Sequence, residues 1–223
     1  MDMAFAIALS AAFVLGVEHA FEPDHVVAVS TIVTQSRGLI RSLLTGSLWG
    51  LGHTLALLTA GILAILLRVR LPTNISATFE LFVGLMLVIL GVWAVLNAKK
   101  QKLHFHVHSH NGRTHAHLHS HKEGESHDHP HVPFSVGVIH GLAGSGAMVV
   151  LAMSTMADIA QGLFFIAAFG GGLIFAMSMI GSALNLPISL GGKLPGLIGS
   201  VFSVGAGLLS LALGAFVVFG YFF

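Results

Sequence analysis

Hydropathy along the chain alternates between long apolar runs and short polar breaks, with a single long polar stretch near the middle. A helix that crosses a bilayer needs about 20 predominantly apolar residues. Six segments meet that requirement: 3–33, interrupted at Pro23, then 40–67, 76–97, 134–155, 160–184 and 196–221. The first two are long enough to tilt, kink or run partly outside the bilayer. The opening run from Met3 to Val17 holds Ser10 as its one polar residue. Asp2 precedes it, no Lys or Arg does, and no convincing cleavage site follows, so a retained first span is expected rather than a signal peptide. The polar stretch covers 99–132. The pattern predicts an all-α polytopic membrane protein with three spans in 1–98, a polar loop over 99–132 and three spans in 133–223.

Composition sharpens this. Only 9% of the 223 residues are charged and 55% are hydrophobic, for a mean hydropathy of +0.88. A soluble domain carries about 25% charged residues, so this chain is too poor in charge to keep a water-facing surface. It has no cysteine, which excludes disulfides, thiolate metal sites and thiol redox chemistry. The net charge of +1 says less than the placement of the cations, because Lys and Arg favour cytoplasmic loops. Loops after spans 1, 3 and 5 share a side and hold Arg37, Arg41, Lys99, Lys100, Lys102, Arg113, Lys122 and Lys193; the other side holds Arg68 and Arg70. The 99–132 loop is therefore predicted to be cytoplasmic and both termini outside.

The two halves resemble each other. "GVEHAFEPDHVVAVST" (16–31) and "GVIHGLAGSGAMVVLAMST" (137–155) share Gly-Val-x-His, equating His19 with His140 at an offset of 121. "WGLGHTLAL" (49–57) and "FGGGLIFAM" (169–177) equate Gly52 with Gly172 at an offset of 120. "GLMLVILGVWAVL" (84–96) and "GLLSLALGAFVVF" (207–219) equate Gly84 with Gly207 and Gly91 with Gly214 at an offset of 123. Each half has three spans, an odd number, so the halves are expected to face opposite ways. That is the inverted-repeat logic of secondary transporters, whose substrate site lies at the repeat interface.

"HAFEPDH" (19–25) carries the densest chemistry. At about 100° per residue, His19, Glu22 and His25 share one arc of an ideal helix, while Asp24 falls off it unless the helix breaks. Pro23 favours a break, because it has no N–H and its ring clashes with the carbonyl of residue 19. The expectation is that this freed carbonyl converges with the His19 imidazole. Charged groups within a span are costly and mark an ion pathway or proton relay. Imidazole with carboxylate suits Ni²⁺, Co²⁺, Zn²⁺ or Fe²⁺. The blander alternative is a helix end at the membrane interface, capped by these groups.

His53 lies mid-span without a charged neighbour, flanked by Gly50 and Gly52. It is a further candidate ligand, against the alternative of a hydrogen bond to a neighbouring helix. His140 is the repeat-mate of His19 and is followed by the small residues Gly141, Ala143, Gly144, Ser145 and Gly146; ligand and gating or packing roles both stay open. Asn185 and Pro187 read as turn residues, Met148, Met153 and Met156 as packing, and Asp158 as a loop charge. Eleven of the fifteen histidines fall in 104–131: His104, His106, His108, His110, His115, His117, His119, His121, His127, His129 and His131. H-x-H spacing offers many weak, interchangeable sites, and so polar a stretch is expected to be disordered without metal. Its expected role is to buffer or sense divalent transition metal.

These residues resemble the nickel/cobalt transporter superfamily, including its smaller UreH-like urease-accessory and NicO-type relatives. That family carries H-A-x-D-A-D-H-I on one helix and a G-H-S motif on the next. "HAFEPDHV" matches at His19, Ala20, Asp24 and His25 and departs at Glu22, Pro23 and Val26; "LGHT" matches at Gly52 and His53, with Thr54 in place of Ser. The resemblance implies that His19, Asp24, His25 and His53 take part in metal selection and translocation, with Glu22 by acid-for-acid correspondence. It rests on motifs in spans 1 and 2, and on architecture and the His-rich loop elsewhere. Longer members have eight spans, where six are read here.

The function expected is a permease for a divalent transition-metal ion in the cell membrane, Ni²⁺ first, then Co²⁺, then Zn²⁺, with uptake as the direction. Carboxylates lower the penalty for divalent charge, and histidines favour transition metals over Mg²⁺ or Ca²⁺. Expected partners are the ion, the bilayer, and a cytoplasmic metallochaperone or nickel-enzyme maturation factors; neither nucleic acid nor a prosthetic group is expected. Efflux is the alternative within transport, and a non-transporting metal sensor or nickel-insertion accessory the alternative outside it. A redox subunit would need cysteines. An enzyme is the least favoured class, and the chain lacks H-E-x-x-H, the two-ligand zinc motif of metalloproteases.

Overall fold

The computed structural model describes residues 3–34, 38–67, 73–100, 103–110, 113–120, 131–143, 159–190 and 195–223. Among them are seven helices: α1 (Met3–His19), α2 (Pro23–Val33), α3 (Leu39–Leu67), α4 (Thr73–Lys100), α5 (His131–Gly141), α6 (Ile159–Leu190) and α7 (Pro195–Phe222). Four of these, α3, α4, α6 and α7, are long and apolar enough to cross a membrane; α1 and α2 meet the same test only as a pair bent by 62°, a broken span or a re-entrant loop. The expected span 134–155 falls partly on α5, which has 11 residues, and partly outside the described residues.

The bend follows from Pro23. The residue before a proline is pushed out of the helical region, and Glu22 adopts φ −57, ψ 140. Proline then opens α2, where its missing N–H costs nothing. Between the helices, Phe21 N–H donates to the Glu18 carbonyl at 3.0 Å and Glu22 N–H to the His19 carbonyl at 3.0 Å. The His19 carbonyl is thus consumed by the turn, which corrects the expectation that it lies free beside the ligands.

Glycine sets how closely the helices pack. A Cβ on Gly16 would strike the Phe169 carbonyl, and one on Gly172 the Phe13 carbonyl, so α1 and α6 touch backbone to backbone. Gly52 meets the Phe134 carbonyl and Gly137 the Trp49 carbonyl in the same manner, joining α3 to α5. Phe5 against Phe164 and Phe13 against Phe175 show α1 and α6 running the same way. Gly46 beside Met177 and Gly170 beside Thr54 show α3 and α6 running opposite ways, and Gly84–Gly214 with Gly91–Gly207 show the same for α4 and α7. Small residues allow such contact where no hydrophobic drive exists between helices. Large apolar side chains such as Ile89, Phe216 and Phe219 stay exposed, as a hydrocarbon solvent permits.

Two expectations are corrected. Within the 104–131 stretch expected to be disordered, β1 (Leu103–His110) and β2 (Arg113–Ser120) pair antiparallel. The reason is legible in hindsight: H-x-H alternation has the period of a strand, and the intervening Asn111-Gly112 is the strongest short hairpin signal. Asn185 and Pro187 are not turn residues, since α6 continues through both to Leu190. Asn185 is fully buried and donates to the Val33 carbonyl at 3.5 Å. Met148, Met153, Met156 and Asp158 lie outside the described residues.

Gly137→Ala should destabilise the protein by about 1–3 kcal/mol through overpacking. Gly205→Ala meets nothing within 4 Å and should be neutral or gain up to about 1 kcal/mol. Thermal melting of detergent-solubilised protein, read by size exclusion, checks this; equal midpoints would contradict the backbone contact at Gly137.

Candidate metal centre

The turn between α1 and α2 brings His19, Glu22, Asp24 and His25 together, and the close packing of α5 on α3 adds His53 and His140. His19, His25, His53 and His140 are buried, at 7%, 2%, 0% and 1% exposure. Glu22 and Asp24 reach further out, with side chains 45% and 31% exposed. Glu22 occupies the N-cap position of α2 but makes no side-chain cap bond, so capping does not explain it. Its Oε1 lies 2.7 Å from His19 Nδ1, and Asp24 Oδ1 lies 2.8 Å from His25 Nδ1. Asp24 Oδ1 also accepts from the His25 backbone N–H at 3.0 Å.

An ionised carboxylate only accepts hydrogen bonds, so each facing Nδ1 must donate. In the neutral form of each ring Nε2 then carries a bare lone pair. Those two atoms, His19 Nε2 and His25 Nε2, stand 3.0 Å apart. Carboxylates that orient imidazoles in this way are the usual outer partners of metal-binding histidines.

His53 and His140 complete two overlapping groups. One ligand atom each from His19, His25 and His53 lie within 4.8 Å of one another, and so do those of Asp24, His25 and His140. His140 Nε2 stands 3.6 Å from Asp24 Oδ2, beyond hydrogen-bond length. Neither ring nitrogen of His53 or His140 has a hydrogen-bond partner. The hydrogen bond to a neighbouring helix that is the alternative for His53 is not made in this structure.

Sequence reasoning missed Trp49. It is fully buried, its ring centroid lies 5.0 Å from His25, 5.2 Å from His53 and 5.2 Å from His140, and its Nε1 has no partner. One helical turn before His53 in "WGLGH", it shares that residue's face, which is the signal that was available. Phe169 likewise packs against His19, at 5.3 Å. Of the loop histidines, His104, His106, His108 and His110 stand on β1, His115, His117 and His119 on β2, and His131 opens α5. His121, His127 and His129 lie outside the described residues.

The chain is 39% identical over 189 residues to urease accessory protein UreH of Bacillus sp. (strain TB-90), covering 83% of this chain and 79% of that protein. Two longer Arabidopsis thaliana proteins are also similar. Chloroplast protein FOR GROWTH AND FERTILITY 1 is 27% identical over 95% of this chain and 58% of its own length. Chloroplast protein FOR GROWTH AND FERTILITY 2 is 28% identical over 70% of this chain and 40% of its own. No protein-family model and no solved structure matches.

An unpartnered buried imidazole is costly, by about 1–3 kcal/mol per lost hydrogen bond. His53→Leu should therefore raise the melting temperature of the metal-free protein in chelator. A lowered midpoint would mean that His53 has a partner in the resting protein.

Proposed function

The chain belongs to the UreH family of urease accessory proteins, and on that premise we propose that it is a membrane permease for Ni²⁺, with Co²⁺ as the second cargo and Zn²⁺ less favoured. One observation carries the reading: two buried imidazole Nε2 atoms face each other at 3.0 Å, each with its Nδ1 held by a carboxylate. Such a pair is satisfied by a proton on one ring or by a metal ion that both rings ligate. Two nitrogens about 2.1 Å from a common ion and about 90° apart are separated by about 3.0 Å, the spacing of neighbouring ligands in square-planar or octahedral geometry. Imidazole selects transition metals over Mg²⁺ and Ca²⁺, while Asp24 and Glu22 offset the divalent charge.

Two inverted three-span halves are part of the proposal, and the helix packing supports them. The close contact of Gly16 with Phe169 has its counterpart in that of Gly137 with Trp49, and Gly172 with Phe13 in Gly52 with Phe134. Each member maps onto its counterpart at an offset of 120 or 121. The aromatic pairings follow suit: Phe169 packs on His19 at 5.3 Å, and Trp49 on His140 at 5.2 Å. Rocking one half against the other would alternate access to the site.

Uptake is the proposed direction, since an accessory role to urease fits delivery inward. The cation count still favours a cytoplasmic 99–132 loop and outer termini. In that loop the strand register sets His104 opposite His119, His106 opposite His117 and His108 opposite His115. These rungs are proposed to collect ion for a metallochaperone or maturation factor.

Purified protein in liposomes containing a metal-sensitive dye should admit Ni²⁺. His19→Ala or His25→Ala should slow the flux by at least about 100-fold, the scale set by losing a ligand whose outer partners alone are worth about 10–100-fold. Wild-type flux in both variants would remove the site. Saturable binding with no accumulation by the wild type would leave a metal-holding accessory instead of a permease.

A further inference from the structure

We infer that the ion has two adjoining stations, an inner one on His19, His25 and His53 and an outer one on Asp24, His25 and His140, and that it passes between them across the His25 ring. This rests on the permease reading and adds a path within its site. The potential ligands do not form one set. They divide into two triads, each within 4.8 Å, and His25 is the residue common to both. Its two nitrogens serve opposite sides: Nε2 lies 3.0 Å from His19 Nε2, and Nδ1 lies 2.8 Å from Asp24 Oδ1.

Each triad also holds one deeply buried imidazole that nothing else satisfies. His53 in the inner triad and His140 in the outer one are 0% and 1% exposed, and neither has a hydrogen-bond partner on either nitrogen. The stations differ in chemistry and in access. The inner is three imidazoles, all buried. The outer includes the carboxylate of Asp24, 31% exposed, which takes a divalent ion before it has lost all its water. An ion arriving from the Glu22–Asp24 side meets the outer station first and must satisfy three nitrogens to enter the inner one.

The His25 ring holds one proton at either end of this exchange, Nε2 releasing a proton to the water the ion still carries and Nδ1 taking one from it. With the ion on the outer station, Nδ1 is a ligand and the ring proton sits on Nε2, donating to His19 Nε2. With the ion on the inner station, Nε2 is the ligand and the proton sits on Nδ1, donating to Asp24. Both arrangements use hydrogen bonds whose lengths the structure already provides, so the ring is satisfied at either end of the step.

Trp49 reports on both stations, since its ring lies 5.0 Å from His25 and 5.2 Å from both His53 and His140. The chain has two tryptophans, and Trp93→Phe, on a 40% exposed position of α4, leaves Trp49 alone. Ni²⁺ titration of Trp49 emission in the full-length, detergent-solubilised Trp93→Phe protein provides the test. His53→Ala and His140→Ala should each keep saturable quenching, and His25→Ala should lose it. Asp24→Asn should then abolish quenching in the His53→Ala background, where only the outer station remains. In the His140→Ala background it should weaken binding by about tenfold, the usual cost of altering a ligand's partner.

Asp24→Glu in the His53→Ala background should restore quenching, which misfolding would not permit. Equal effects of Asp24→Asn in the two backgrounds, or complete loss in His53→Ala alone, would overturn the two-station scheme. The liposome assay keeps the readings apart. Transport without this crossed pattern removes the second station only, and the crossed pattern without transport leaves two binding stations but no permease.

Discussion

Two imidazole Nε2 atoms held 3.0 Å apart inside a membrane protein repel unless a proton or a metal ion lies between them. Most of the architecture around residues 19–25 serves to create that pair. The lone pairs face each other because carboxylates occupy the opposite nitrogen of each ring. The carboxylates can do so because the helix ends at His19 and restarts at Pro23, so that residues three and one apart reach the rings from a turn. An unbroken helix would have sent Asp24 to another face. The other two imidazoles arrive because glycine lets α5 lie directly against the backbone of α3 at Trp49 and His53.

The rest of the buried polar surface behaves differently. Thr31, Thr54 and Ser178 are buried on helices, and each hydroxyl donates to the carbonyl four residues earlier, at 2.8, 2.8 and 2.6 Å. Hydroxyls can satisfy themselves on their own helix; imidazole and indole rings are too long and rigid to do the same. Among the described residues, the buried side-chain atoms without hydrogen-bond partners are the ring nitrogens of Trp49, His53 and His140. Unsatisfied polarity is therefore concentrated at one place, and a cation is the kind of ligand that removes it from the histidines. The Trp49 N–H gains nothing from a cation; the structure gives no account of its partner.

Much of this was legible in the sequence, for identifiable reasons. Hydropathy suffices for spans because lipid demands long apolar runs, and α3, α4, α6 and α7 fall where the runs do. The break at Pro23 was legible because proline acts locally. What failed was accounting for partners. The His19 carbonyl looked free because its helical donor would be the missing N–H of Pro23, whereas the turn supplies the Glu22 N–H. That each carboxylate also faces a ring nitrogen could not be read from spacing on a helix. Trp49 belongs to no ligand motif, though it stands one helical turn from His53. The hairpin was missed because composition was weighed and the two-residue period was not.

The site is also lopsided, and that bears on how it would work. At the position equivalent to His53 the second half has Leu173, and of the residues at 19, 22, 24 and 25 it retains only His140. In the reading proposed above, His19, His25 and His53 all belong to the first half, so rocking of the halves leaves the inner group intact. The group that includes His140 spans both halves, and the 3.6 Å between His140 Nε2 and Asp24 Oδ2 lies on that boundary. Relative motion would therefore tighten or open the outer group alone. A symmetric pair of sites would bind equally from either side and give the motion nothing to discriminate. On that reading, with ligands concentrated in one half and a single imidazole reaching in from the other, the conformational change would act on one station while the other held the ion.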